Sequence, residues 1–130
     1  MKAKELMIDD WVRFEHSDLC HKVYAVQGKS AKVDKQYWYK ADKLHPVPLT
    51  AEILDKNYEE VCRSKDGTSY EWGWCVETGY VEISKSEDAY GVSRYYLTAN
   101  DGEYRVMLIR YVHELQHALR LCGIDKEIEL

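Results

Sequence analysis

The most constraining feature of the sequence is an amphipathic pattern near its C-terminal end. Apolar residues recur there at intervals of three and four, the spacing that lines one side of an α-helix: Leu108, Val112, Leu115, Leu119 and Cys122. Gly123 follows, where a left-handed residue ends many helices, and Ile124 can supply the apolar contact that accompanies it. The pattern predicts a C-terminal helix in which Val112, Leu115, Leu119 and Cys122 are buried.

The first 48 residues have the pattern of a small β-structure. Alternating apolar and polar residues predict short strands at 10–15, 22–26, 31–34 and 37–39, separated by turns. Short strands at such close spacing favour a small, strongly bent, SH3-like sheet. Pro46 and Pro48 then break the pattern. We therefore expect a β barrel-like part at 1–48 and an α+β part at 49–130, which can also form one compact unit.

The second part begins with a predicted short helix. Thr50 is a good N-cap, and Glu52 in the first turn favours the positive end of the helix dipole. Ile53, Leu54, Tyr58 and Val61 would give this helix one apolar side.

Further strands are predicted between the two helices. Residues 70–76 alternate with one aromatic face, 80–83 continue the strand pattern, and Asn100-Asp101-Gly102 predicts a hairpin turn between 95–97 and 104–106. Residues 64–67, 77–79 and 85–88 have the composition of loops or turns. The predicted fold class is therefore α+β, with an SH3-like sheet, a short helix, an antiparallel sheet and a C-terminal amphipathic helix.

Composition narrows the class of protein. The hydrophobic fraction of 45% and the charged fraction of 32% are typical of a globular chain. No apolar run approaches the roughly 20 residues that span a bilayer, and the first residues lack the apolar core of a signal peptide. We therefore expect a cytoplasmic protein without membrane contact, whose four cysteines, Cys20, Cys62, Cys75 and Cys122, are free thiols.

Charge is distributed unevenly along the chain. The net charge is −5, but residues 1–48 hold nine Lys and Arg against seven Asp and Glu, whereas residues 49–103 hold five against twelve. An acidic centre repels phosphate, which disfavours nucleic-acid binding over the whole surface. Only the first segment could carry a basic patch.

A metalloprotease-like motif lies on the predicted C-terminal helix. His113-Glu114-Leu115-Gln116-His117 matches H-E-x-x-H, in which two histidines hold Zn²⁺ and the glutamate activates a bound water. The extended motif fails, because Arg120 and Gly123 stand where a glycine and a third histidine are needed. At about 100° per residue, both histidines also point away from the apolar stripe. We expect two solvated histidines and an ordinary surface carboxylate, with zinc hydrolysis as the alternative.

Two weaker groups of residues lie in the first part. His16, Cys20 and His21 could ligate zinc but lack a fourth ligand, so a chance cluster is the favoured interpretation. Aromatic and basic side chains are also mixed there, as in small barrels that stack nucleic-acid bases: Trp11, Tyr37, Trp38, Tyr39, Lys22, Lys29, Lys32, Lys35, Lys40 and Lys43. A solvated sheet whose lysines protect its edge strands is the favoured interpretation, with weak nucleic-acid binding as the alternative.

Two segments carry a resemblance to a known family. Residues 49–54 after the proline-containing link, and 111–116 with Gly123 and a short acidic tail, resemble small uncharacterised proteins of Bacteroidetes genomes, phages and mobile elements. The chain departs from the family at Asn57-Tyr58-Glu59, where Asn-Gly-Phe is expected, and at 113–117, where His-Gln-Leu-Gln-Asn is expected. The resemblance implies a β-rich start, a short helix, an antiparallel sheet and a final helix, but no activity.

The expected function is that of a non-enzymatic binding or assembly protein of a phage or mobile element. Its partner would be an unidentified protein. A homodimer is also expected, because the aromatic strand 70–74 could leave an apolar patch exposed.

Overall fold

The computed structural model describes residues 1–34, 37–58, 60–63, 70–76, 79–100, 104–124 and 127–130. Within these ranges the chain forms two antiparallel five-stranded sheets and two α-helices, which confirms the α+β class. The chain divides into two compact units. Met1–Pro48 and Tyr111–His113 form the first unit, and Leu49–Arg110 and Glu114–Leu130 form the second.

The first unit contains one sheet with the strand order β4-β3-β2-β1-β5. Two short 3-10 helices accompany it, Ala3–Glu5 before the sheet and Ala41–Lys43 between the last two strands. The four predicted strands are confirmed, and a fifth pairs with the first: β1 Trp11–Phe14, β2 Cys20–Gln27, β3 Ser30–Val33, β4 Tyr37–Lys40 and β5 Leu44–Pro46.

One side of this sheet forms the core of the first unit. Val12, Val23 and Leu44 are fully buried, and Phe14 and Tyr39 pack against them from the same side. Side chains alternate between the faces of a strand, so the intervening residues of β1 to β4 lie on the other face. A β-bulge between Val23 and Ala25 interrupts the alternation in β2.

The second unit contains the other sheet, with the strand order β10-β9-β8-β7-β6. Its buried residues include Trp72, Val81, Ile83 and Leu97. The elements that follow Pro48 are α1 Ala51–Asn57, β6 Glu60–Arg63, β7 Tyr70–Val76, β8 Gly79–Glu87, β9 Ser93–Asn100, β10 Tyr104–Ile109 and α2 Val112–Leu121.

The local signals at the helix ends work as predicted. The Thr50 hydroxyl accepts the N–H of Ile53 at 3.3 Å and caps α1. At the end of α2, Gly123 has φ of +78°, its N–H donates to Arg120 O at 3.0 Å, and the N–H of Ile124 donates to Leu119 O at 2.9 Å. This is the Schellman motif, in which a left-handed residue turns the chain so that the N–H groups after the helix donate to its last carbonyls.

Two predicted element boundaries are wrong. The first helix ends at Asn57, because Tyr58 is extended and Val61 belongs to β6, where it pairs with Trp72 of β7. The expected loop at 85–88 is largely strand, because 85–87 pair with 93–95 of β9 despite their charged composition. In both cases the secondary structure is determined by hydrogen-bonded pairing with a neighbouring strand, and not by local composition.

Two residues of the apolar pattern predicted for the C-terminal helix differ from the prediction. Val112, Leu115 and Leu119 are fully buried, as predicted, whereas Cys122 is half-buried. Leu108 belongs to β10 rather than to the helix, pairs with Tyr96 and is 42% exposed. The predicted loop 64–67 lies outside the described residues. So do 77–78 and 101–102 of the turns predicted at 77–79 and 100–102, whereas Gly79 begins β8 and Asn100 ends β9.

The helices that the described residues form are too short, or too polar, to meet the requirements of a membrane span.

Candidate functional site

The histidines of the H-E-x-x-H segment have different environments. His113 is 7% exposed and its ring stacks on that of Tyr111, with centroids 5.8 Å apart and an interplanar angle of 12°. His117 is half-buried. The prediction that both lie on a solvated face is therefore wrong for His113. The buried surface of α2 is broader than the apolar stripe, since Gln116 and Ala118 are also buried.

Glu114 has a structural function at the start of α2. One of its carboxylate oxygens accepts the N–H of Arg110 at 2.9 Å, and the other lies 3.6 Å from the Arg110 guanidinium. A carboxylate in the first turn that accepts a backbone N–H in front of the helix stabilises the helix start. The expectation of an ordinary surface carboxylate is therefore wrong. Within the ranges that the structure describes, no three His, Cys, Asp or Glu residues form a group suited to a metal ion.

The His16, Cys20 and His21 residues are not brought together. The His16 side chain is 90% exposed and lies 3.6 Å from Glu15. Cys20 and His21 are neighbours in β2 and so point to opposite faces, and His21 pairs with the Asp34 carboxylate. Burial raises the pKa of the Cys20 thiol, which Arg13 only partly offsets, so the thiolate is disfavoured.

The aromatic and basic residues of the first unit do assemble on one surface. Residues opposite one another in a ladder share a face, and Trp11 lies opposite Lys22 while Lys32 lies opposite Trp38. The face turned away from the core is termed the outer face. On strands β1 to β4, its aromatic and basic residues are Trp11, Arg13, Lys22, Tyr24, Lys32, Trp38 and Lys40.

Four of the ten residues in the predicted mixture lie elsewhere. Tyr39 is turned inward, where its ring packs against Phe14 at 4.8 Å, and Tyr37 lies opposite buried Val33. Lys29 and Lys43 lie outside the strands, and Lys35 is outside the described residues.

Two members of the outer face were missed from the sequence. Arg13 alternates with buried Val12 and could have been assigned to this face from the period of two. Tyr24 lies at the β-bulge, which lets both Val23 and Val26 contact the core. Two valines three residues apart in one strand are the only signal for this bulge.

Cations lie directly over two rings of the outer face. The Lys22 ammonium is 5.1 Å from the centroid of the Trp11 ring, and the Lys32 ammonium is 5.9 Å from that of Tyr24. Both distances are within the range of a cation–π interaction. Tyr24 and Trp38 each leave 48% of their surface exposed. The outer face thus presents large aromatic surfaces in contact with solvent.

The outer face is uniformly basic. In strands β1 to β4, which the structure describes completely, no residue on this face is acidic. Asp34 follows β3, but its carboxylate is engaged with His21 and with the N–H of Lys22. The positive potential of the face is therefore not neutralised from within its own strands.

A cavity adjoins the outer face at its β4 side. It has a volume of about 540 Å³ and is lined by Lys2, Lys4, Lys29 and Lys40, with Asp42 as its one carboxylate. Lys40 belongs to both the cavity and the outer face. Lys40 therefore connects the cavity to the outer face.

Comparisons of the chain with protein-family models, with curated proteins and with solved structures find no significant match. Because a fold alone does not determine function, the chemistry of the outer face is the main indication of function in this chain.

Proposed function

We propose that this protein is a non-enzymatic binding or assembly protein, and that the outer face binds an anionic partner. The observation that carries the proposal is the concentration of cations and exposed rings on one sheet face of a chain whose net charge is −5. Exposed apolar surface combined with a single sign of charge is typical of an interaction site.

The protection of sheet edges from pairing with other chains does not account for the lysines of the outer face. Lysines on an edge strand prevent pairing with other chains, and Lys40 on β4 fits that function. Lys22 and Lys32 lie on β2 and β3, which already have a neighbouring strand on each side. Their place on the inner strands therefore favours a binding function over edge protection.

The net negative charge of the chain does not exclude an anionic partner. Charges on the surface are screened over about 8 Å at physiological salt, so a ligand on the outer face responds mainly to the charges close to it. The charges on strands β1 to β4 of this face are Arg13, Lys22, Lys32 and Lys40.

The biological setting is proposed on separate grounds. The resemblance at 49–54 and 111–116 supports a phage or mobile element as the source. Cys20 and Cys122 are free thiols, which supports the reducing cytoplasm. The order β4-β3-β2-β1-β5, with a 3-10 helix before β5, supports an SH3-like interpretation of the first unit.

A homodimer also stays a proposal. Trp72 does not contribute to the expected apolar patch, because it is 2% exposed and its Nε1 donates to Asp55 at 2.8 Å. Light scattering at high protein concentration gives the mass that decides between monomer and dimer.

The test uses labelled anionic probes of three kinds: heparin, poly-glutamate and single-stranded DNA. Fluorescence anisotropy is measured at low and at physiological salt for the natural protein and for the double variant Lys22→Glu/Lys32→Glu. The control is Lys43→Glu/Lys56→Glu, which changes the charge equally at two exposed lysines that do not belong to strands β1 to β4. We expect salt-sensitive binding of at least one probe, lost only in the outer-face variant. Failure to bind any probe would show that the proposal is wrong.

A further inference from the structure

We infer that the anionic partner is a single-stranded nucleic acid, whose bases stack on the rings of the outer face while its phosphates lie along the lysines. This inference rests on the proposed function, because it concerns the same surface. It adds the class of the partner and the part that each kind of side chain plays.

The exposed rings distinguish a nucleic acid from other polyanions. Heparin and acidic peptides need cations, but sulfates and carboxylates gain little from a flat aromatic surface. Every nucleobase has a π-face, and each base stacked on an aromatic side chain strengthens binding by about 5- to 150-fold. Tyr24 and Trp38, each 48% exposed, provide such surfaces on either side of Lys32.

The lysines over Trp11 and Tyr24 do not prevent stacking. A cation–π contact at an exposed site strengthens an interaction by only about 2- to 5-fold. A base that replaces the ammonium over the ring therefore gains more than is lost. The displaced ammonium stays next to the ring, where a phosphate that follows the stacked base can reach it.

The spacing of the strands suits a chain of unpaired bases. Neighbouring strands lie about 5 Å apart, so Tyr24 on β2 and Trp38 on β4 are separated by about 10 Å across the sheet, with Lys32 of β3 between them. Trp11 on β1 extends the row on the other side of Tyr24. Bases inside a duplex are stacked on one another and cannot reach these rings. The arrangement therefore favours single strands over duplexes.

The basic cavity extends the path beyond β4. Lys40 joins the outer face to a cavity of about 540 Å³ that also holds Lys2, Lys4 and Lys29. A nucleic-acid strand that crosses the rings toward β4 would pass into this positive region. Contacts to the four cations of the outer face alone predict a salt slope of about −3 in a plot of log K against log salt.

The experiment compares a labelled single-stranded oligonucleotide with the matching duplex, heparin and poly-glutamate, using the whole chain. The variants are Trp38→Ala and Trp38→Phe, with Tyr90→Ala as the control, since Tyr90 is 93% exposed and lies in the second unit. Thermal melting checks that each variant is folded. We expect single strands to bind tightest, a loss of about 5- to 150-fold in Trp38→Ala, and retention in Trp38→Phe and Tyr90→Ala.

The outcomes separate this inference from the proposed function. Equal binding of heparin and single strands, with Trp38→Ala unchanged, would overturn the inference and leave an anionic partner standing. Tightest binding of poly-glutamate would assign the face to an acidic protein and would also overturn it. Tightest binding of the duplex would also overturn the inference of a single-stranded partner. Absence of binding to all four probes would overturn both proposals.

Discussion

The side chain of Asn57 and the backbone of Glu129 form a reciprocal pair of hydrogen bonds across 72 residues of sequence. Asn57 Oδ1 accepts the N–H of Glu129 and its Nδ2 donates to the Glu129 carbonyl, both at 2.7 Å. The same Nδ2 donates to Ile53 O at 2.7 Å within α1. Asn57 is 1% exposed, and Ile128 beside the pair is fully buried. The amide therefore attaches residues 127–130 to the end of the first helix.

Replacing Asn57 should destabilise the fold. Asn57→Ala removes both partners of the Glu129 backbone and leaves buried polar groups without these bonds, so we expect the free energy of unfolding to fall by about 2–4 kcal/mol. Urea denaturation measures this change. Asn57→Asp is the informative control, because it keeps an acceptor for the Glu129 N–H but turns a carboxylate oxygen toward the carbonyls. Its destabilisation should be smaller in acid than at neutral pH, and an unchanged midpoint in Asn57→Ala would contradict the assignment.

The buried side of α2 gives a second prediction. Leu115 is fully buried, with 0% of its surface exposed to solvent, so Leu115→Ala should lower the free energy of unfolding by about 2–5 kcal/mol. Leu121 in the same helix is 84% exposed, and Leu121→Ala should change it by less than about 0.5 kcal/mol. Thermal or urea melts of the pair measure the contrast. Equal effects would show that the helix is packed differently.

What could be predicted from sequence depended on the range of the interaction. Thr50 and Gly123 act on backbone groups three to five residues away, so their signals are local and the helix ends they mark were predicted correctly. The end of α1 and the extent of β8 depend on pairing with β7 and β9, which no local pattern contains. Asn57 has its partner 72 residues away, and nothing in the sequence indicates that bond.

The candidate site follows the same rule. Trp11, Trp38 and three lysines were recognised as an aromatic and basic mixture, because composition alone shows them. Their common face depends on the register of four strands, and Tyr24 joins it through a bulge. His113 was predicted to be exposed because its angle on the helix lies away from the apolar stripe. The buried surface of α2 is wider than that stripe and includes His113.

Glu114 gives a prediction about the start of α2. Glu114→Ala removes the acceptor for the Arg110 N–H and should cost about 1 kcal/mol of stability, as the loss of a helix cap does. Glu114→Gln keeps an acceptor oxygen and loses only the ion pair with a largely exposed Arg110, so we expect a change below about 0.5 kcal/mol. Thermal melts compare the two variants. An identical loss in both would mean that charge, rather than the hydrogen bond, stabilises the helix start.

Metal content gives a prediction about the H-E-x-x-H segment. We expect protein purified without a metal-affinity tag to carry no stoichiometric zinc and to cleave no peptide. The His113 ring is buried against Tyr111, and the Glu114 carboxylate accepts a hydrogen bond from the Arg110 N–H. Elemental analysis measures the zinc, with His117→Ala as the comparison. One zinc per chain that disappears in His117→Ala would refute this prediction and make the zinc hydrolase the leading hypothesis.

The turn between β8 and β9 gives a prediction about pH. The Asp88 carboxylate accepts the N–H groups of Val92 at 3.0 Å and Tyr90 at 2.9 Å, and Arg94 lies 3.6 Å away. The Val92 hydrogen bond, helped by Tyr90 and Arg94, lowers the pKa of Asp88 against a smaller opposing effect of desolvation. A pKa lower in the folded than in the unfolded protein means that this carboxylate stabilises the fold above its unfolded pKa. That contribution is lost as the pH falls through the folded value.

Asp88→Asn should therefore lose less stability on acidification than the natural protein does, and Arg94→Gln should raise the pKa of Asp88. Carboxyl chemical shifts followed by NMR through an acid titration measure the pKa directly, and melts at several pH values measure the stability. Asp42→Asn, at an exposed aspartate of the first unit, is the control and should leave the Asp88 titration unchanged. If Asp88 titrates at the ordinary value of a free aspartate, the turn does not hold its carboxylate in the arrangement described, and Arg94→Gln should then have no effect on it.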